Sequence, residues 1–169
     1  MGFSMYTHFK LILEQDYMAS KSCKKALLLI VMFRLLHFCR ENRILFILSV
    51  PLWVLYKVYA EIMMHVELSP RTRVGKGLLL PHPFAIVINS NAIIGDHCII
   101  RNCTTIGNKG IADNAGCPIF GNRVEIGSNC VVIGKISIGD NVVIGAGSVV
   151  VKSLESNHTY AGNPVRLIR

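Results

Sequence analysis

A mainly β fold, a parallel β-helix behind an N-terminal α-helical region, is what this 169-residue sequence predicts. Three observations carry the prediction. From Phe120 to Val150 an aliphatic or aromatic residue recurs every six positions, at 120, 126, 132, 138, 144 and 150. Glycine follows it at 121, 127, 139 and 145. Residues 1–64 show no such register and read as apolar runs between polar breaks. A period of six fits neither the 3.6 of a helix nor the alternation of a strand. It belongs to the hexapeptide β-helix, where each six forms one side of a three-sided coil. The residue that opens each six points inward. The glycine after it is expected to supply the sharp corner conformation that a Cβ resists.

In chain order, Tyr6–Met18, Ser22–Cys39 and Asn42–Met64 read as helices, separated at Ser20–Ser22 and Arg40–Arg43. The apolar runs Ala26–Phe33 and Ile44–Tyr56 are limited by Arg34, and by Pro51 with Lys57. Neither reaches the roughly 20 apolar residues of a spanning helix. Residues 1–64 are expected to form a helical cap packed against itself and a neighbouring subunit. A second reading lays these helices on a membrane surface, because Lys21, Lys24 and Lys25 flank the first run. His8, His37 and His65 read as structural.

From residue 65 the six-residue register runs through Val74, Leu80 and Ile86, then Ile94, Ile100 and Ile106, with a two-residue excess expected near Asn89–Asn91. Phe120 follows Ile106 by fourteen residues, so eight residues within 108–119 must leave the coil as a loop. That loop is rich in Gly, Asn and Asp, and an excursion from a strict scaffold is where function concentrates. The other interruption is Leu80-Pro81-His82-Pro83. Proline on both sides is expected to hold the backbone extended and to present His82 from a rigid element. A lone histidine in a strand is more often structural. The prolines and the nearby loop make this one a candidate for chemistry. After Val151 the register ends, and residues 152–169 form a polar turn and a tail.

Hydrophobic residues make up 51% of the chain and the mean hydropathy is +0.46, so surface is buried between subunits or against a membrane. The net charge of +8 divides evenly. Residues 1–64 hold eight Lys/Arg and four Asp/Glu, and residues 65–169 hold ten and six. Such a balance suits coenzyme phosphates or anionic lipid. No basic–aromatic interleaving supports nucleic acid. Six cysteines form no CxxC pair, and the N-terminus lacks the ordered regions of a signal peptide. Reduced cysteines in a cytoplasmic protein, at the inner face of the membrane on the second helical reading, are expected. The His and Cys residues show no metal-ligand spacing.

Residues 66–168, about three-fifths of the chain, resemble the left-handed β-helix acyltransferases. Within them the resemblance is to the serine acetyltransferases and their polysaccharide-modifying relatives, above all the colanic-acid type of exopolysaccharide synthesis. It is carried by Val66-Glu67-Leu68-Ser69-Pro70, His82, Ala85–Ile88, Ile106-Gly107, Ile144–Val150 and Ala161-Gly162-Asn163-Pro164-Val165-Arg166. Arg34–Cys39 and the loop Ala112-Asp113-Asn114…Cys117-Pro118 add to it.

The resemblance implies acetyl-CoA as donor, a hydroxyl as acceptor and no metal. It makes His82 the general base, Glu67 its acidic partner and the backbone at Asn108 the oxyanion donor. Glu67 precedes His82 by fifteen residues, three short of a full coil, so spacing alone does not join them. Asp113, Asn114 and Cys117 fall at the acceptor. Cys117 has nothing basic beside it in sequence and reads as a small packing residue, not a nucleophile. Gly107, Ser128, Gly145 and Ala146 match small positions along the pantetheine arm, with Lys135, Lys152 and Arg166 as candidate phosphate contacts. The family assembles as trimers with sites at the seams, and trimers can pair.

Serine acetyltransferases carry an acid before the catalytic histidine, where this chain has Pro81, and an Arg-His pair in the loop, where it has Gly116-Cys117. An uncharged sugar hydroxyl, free or on a lipid-linked precursor, is therefore the first expectation. Serine is the second. A non-catalytic β-helix that binds CoA or a partner is the reading from another class.

Overall fold

The computed structural model describes residues 2–110 and 116–169, with side chains from residue 6. Four helices come first: α1 (Gly2–Ser20), α2 (Lys24–Cys39), α3 (Arg43–Leu48) and α4 (Val50–Lys57), the last running on into a π-helical turn, Val58–Met63. The third expected helix is thus broken in two. Pro51 has no N–H to carry on the ladder of α3. Ser49 bonds back at the break, its hydroxyl donating to the Phe46 carbonyl at 2.8 Å. Among the described residues no helix is long and apolar enough to cross a membrane.

Strands start at Val66 and wind as a left-handed parallel β-helix. Its first face stacks Val66–Leu68, Ile86–Ile88, Thr105–Gly107, Val131–Ile133 and Val149–Val150. The second stacks Arg73–Val74, Ile93–Ile94, Ile119–Phe120 and Ser137–Ile138. The third stacks Ile99–Ile100, Glu125–Ile126, Val143–Ile144 and Thr159–Ala161, with Arg166–Leu167 added antiparallel. Ile106 pairs with Val132 across 26 residues, whereas Val132 pairs with Val150 across 18. The difference is the eight-residue excursion expected within 108–119.

The two-residue excess lies elsewhere than expected. Leu68 pairs with Ile88, and Ile88 with Ile106, so Ile88 opens the first face of its coil. The extra pair of residues therefore sits between Leu80 and Ile86, in the turn that carries His82, and not near Asn89–Asn91. The glycine expectation is also corrected. Left-handed backbone falls three residues after the opener, at Arg123 (φ +54°), Asn129 (φ +59°) and Asn141 (φ +56°). The glycine beside the opener is needed for space: a Cβ on Gly127 would stand 2.5 Å from the amide nitrogen of Ala146 in the next coil.

The helices share one apolar core with the coils, Leu29, Ile30 and Phe33 of α2 being as buried as Leu78, Leu80 and Ile100. Tyr56 of α4 is buried and donates to the Leu68 carbonyl at 2.6 Å. His37 is structural, its Nδ1 lying 2.8 Å from the Pro70 carbonyl oxygen. In contrast, α3 buries no residue and α4 only Tyr56.

Candidate active site

Along the outer surface of the first face one ladder of side chains runs in register: Glu67, Val87, Thr105, Val131, Val149. A cleft of about 650 Å³ opens over it, lined by Glu67, Val87, Thr105, Gly107 and Asn108. Its far wall is helical, formed by Trp53, Lys57 and Glu61. The Lys57 ammonium bonds to Glu61 and also lies 5.5 Å from the centre of the Trp53 ring. None of these three was legible as a site residue, because a six-residue period says nothing about where a helix will lie. The i, i+4 spacing of Lys57 and Glu61 was the available signal.

His82 projects from the corner that leads from the third face to the first, and it is exposed. Its backbone is not extended, as the flanking prolines suggested, but left-handed, with φ +54°. Such a conformation costs a residue with a Cβ about 1 kcal/mol or more and persists only where neighbours hold it. Here the neighbours are visible. The Ala85 amide donates to the Met64 carbonyl at 3.2 Å and the Cys103 amide to the Phe84 carbonyl at 2.9 Å. The Phe84 ring meets the His65 ring edge-on, centroids 5.4 Å apart. Glu67 is exposed on the neighbouring coil. Among the described residues no hydrogen bond or ion pair joins it to His82. Within one chain the turn fixes the backbone of His82 and the carboxylate does not bond to its ring.

Asn108 directly follows the first-face strand of its coil, its side-chain amide donating to the Gly110 carbonyl at 2.7 Å. Asp113 and Asn114 lie outside the described residues. Where the loop returns, Cys117 is buried, and burial pushes its thiol above the ordinary range. That disfavours the thiolate a nucleophile needs. Ser128 and Ala146 occupy the same corner as His82 on later coils, one above the other, with Gly145 beside them. The Ser128 hydroxyl donates to Asn102 Oδ1 at 2.8 Å. A Cβ added to Gly107 or Gly147 would meet nothing within 4 Å, so both edges of the first face offer open room. Lys135 and Lys152 are exposed at the opposite edge, where the first face turns to the second. Arg166 pairs with Ala161 in the tail. A single chain thus keeps the small residues and the lysines apart.

Three-sided coils of parallel strands on a six-residue repeat define the hexapeptide β-helix class. The profile of the bacterial transferase hexapeptide (six repeats) family matches residues 118–152. Over 157 residues the chain is 36% identical to the Escherichia coli K12 protein named "Putative colanic acid biosynthesis acetyltransferase WcaB", covering 90% of this chain and 96% of that one. It is 33% identical over 165 residues to a serine acetyltransferase of Synechococcus elongatus, covering 95% of this chain and 66% of the relative. Soybean serine acetyltransferase superposes with a TM-score of 0.82 at 28% identity, over 98% of this chain and 71% of its own. The chain belongs to the hexapeptide-repeat acetyltransferases.

Proposed function

We propose that this protein moves an acetyl group from acetyl-CoA to a hydroxyl of a sugar in capsular or exopolysaccharide synthesis. The observation that carries the sugar, in preference to an amino acid, is the chemistry of two positions. Half-buried Pro81 precedes His82, and buried Cys117 closes the loop, so neither bears a charge with which to grip a charged acceptor. The near-complete mutual coverage with the WcaB protein of Escherichia coli supports the same reading.

In the reaction His82 takes the proton of the acceptor hydroxyl as its oxygen bonds to the thioester carbonyl carbon. Glu67 stabilises the imidazolium, and the backbone at Asn108 receives the developing oxyanion. As the carbon–sulfur bond breaks, His82 returns the proton to the departing thiolate, leaving an acetyl ester and free CoA. The residues present fit the donor. Ser128, Gly145 and Ala146 leave the corner low enough for an extended pantetheine arm, while Lys135, Lys152 and Arg166 supply cations for its phosphates. Because Ser128, Gly145 and Ala146 lie at one edge of the first face and Lys135 and Lys152 at the other, side-by-side copies would bring one chain's small residues beside another's lysines, which favours a homotrimer, alone or in pairs. A pool of acetyl-CoA and the six free cysteines suit the cytoplasm.

The test is thiol release from acetyl-CoA with a panel of sugars and L-serine, for the native chain and His82→Ala. Turnover with sugars that His82→Ala loses by about 100-fold or more is the expected result. Turnover with serine alone, or unchanged turnover in the variant, overturns the reading.

A further inference from the structure

Among the described residues, a continuous run of exposed apolar side chains lies on the helices and not on the prism. Ile44, Leu48, Leu55 and Ile62 are each between 61% and 71% exposed, and α3 buries nothing at all. Between Asn42 and Tyr56 the only charged residue is Arg43. A surface of this kind has to be covered. It is too short to span a bilayer. The charges around it are of both signs, with cations in excess. Arg40, Arg43, Lys57 and Arg71 flank the helices, against Glu41, Glu61 and Glu67, with Glu61 already bonded to Lys57. Arg40 and Arg71 line a second cleft, of about 600 Å³, together with the apolar Phe46 and Trp53. Guanidinium groups beside an aromatic and aliphatic floor match the boundary between phosphate headgroups and acyl chains.

We infer that α3 and α4 form a docking surface for an anionic lipid bilayer, with the exposed aliphatic residues seated among the acyl chains and the arginines at the headgroup phosphates. Trp53, 45% exposed, sits at the junction. With Lys57 it also walls the cleft over Glu67, Gly107 and Asn108. The helices that touch the membrane thus frame the candidate active site, and the acceptor class that follows is a saccharide still carried on a lipid anchor. That last step rests on the proposed sugar acetylation. The docking itself does not.

Trp53 is the sole tryptophan of the chain, so its emission reports on this surface in the unmodified protein. The probe is vesicles of phosphatidylethanolamine with phosphatidylglycerol. Expected are a blue shift of the emission, quenching by brominated acyl chains, and co-sedimentation at least about tenfold weaker on pure phosphatidylcholine, since each basic residue near an anionic surface adds to binding. Leu48→Glu with Leu55→Glu abolishes vesicle binding but keeps the mass in solution and thiol release with soluble sugars. Unchanged emission overturns the inference. So does a fall in mass for the double variant, which assigns the face to a second copy. His82→Ala binds vesicles as the native chain does, and its loss of thiol release bears on the proposed activity alone.

Discussion

Asp16 of α1 and Arg34 of α2 form a buried ion pair, Nε donating to Oδ2 at 2.7 Å. Every remaining polar atom of the pair that reaches the β-helix finds backbone. Arg34 donates to the carbonyls of Val74, at 2.7 Å, and Gly75. Asp16 Oδ1 accepts from the amides of Gly77 and Leu78 at 2.7 and 3.1 Å. The pair locks the helices to the corner that precedes the His82 turn. Removing one member strands the other charge in the interior, so Asp16→Asn should lower stability by about 3–5 kcal/mol. Replacing both by apolar residues should cost less than the sum of the single changes. Denaturant titration of the singles and the double checks this.

Glu67 is assigned to stabilise an imidazolium, not to bind either substrate. Glu67→Gln should therefore lower kcat about tenfold or more while the KM for acetyl-CoA stays put. Equal kcat with a lowered melting temperature would leave Glu67 only a structural role.

Glycines of one chain should respond oppositely to the same substitution. Gly127→Ala forces a Cβ onto the backbone of the next coil and should cost about 1–3 kcal/mol. Gly107→Ala meets open space and should leave the melting temperature near that of the native protein. Thermal unfolding of both variants compares them directly.

Burial holds Cys98 neutral, its thiol pushed up to about 11, and raises Cys117 and Cys130 in the same direction. A thiol-specific reagent near pH 8 should reach none of these three in the folded protein and all six cysteines after denaturation. The raised value also sets a sign. An unfolded thiol ionises near 9, the folded one near 11, so the contribution of Cys98 to stability is complete below pH 9 and declines as pH climbs through that interval.

The coil itself was readable because its inward residues are apolar at a fixed interval, and the size of the loop followed from counting. The position of the two-residue excess was not. Val66 and Leu68, like Ile86 and Ile88, are both apolar and both buried, and a shift of two keeps every side chain on its own face. Only hydrogen-bond partners separate the alternatives. The left-handed backbone at His82 escaped for a related reason, since prolines at 81 and 83 restrict their neighbours without naming the conformation that coil-to-coil bonds finally impose. Nor could any periodicity place Trp53, Lys57 and Glu61 across from Glu67. That depended on Tyr56 anchoring α4 to Leu68.

The tail has a consequence for assembly. Val149 gives its amide to the Gly162 carbonyl and takes one from Val165, both at 3.0 Å, while Thr159 bonds in turn to Arg169 and Ile168. These backbone groups of the last coil are thereby taken up by residues 162–169 of the same chain. Fewer of those groups are left for a second molecule that stacks end on end. Cutting the chain after Ala161 would expose that rim, and light scattering should then register aggregates whose size increases with concentration.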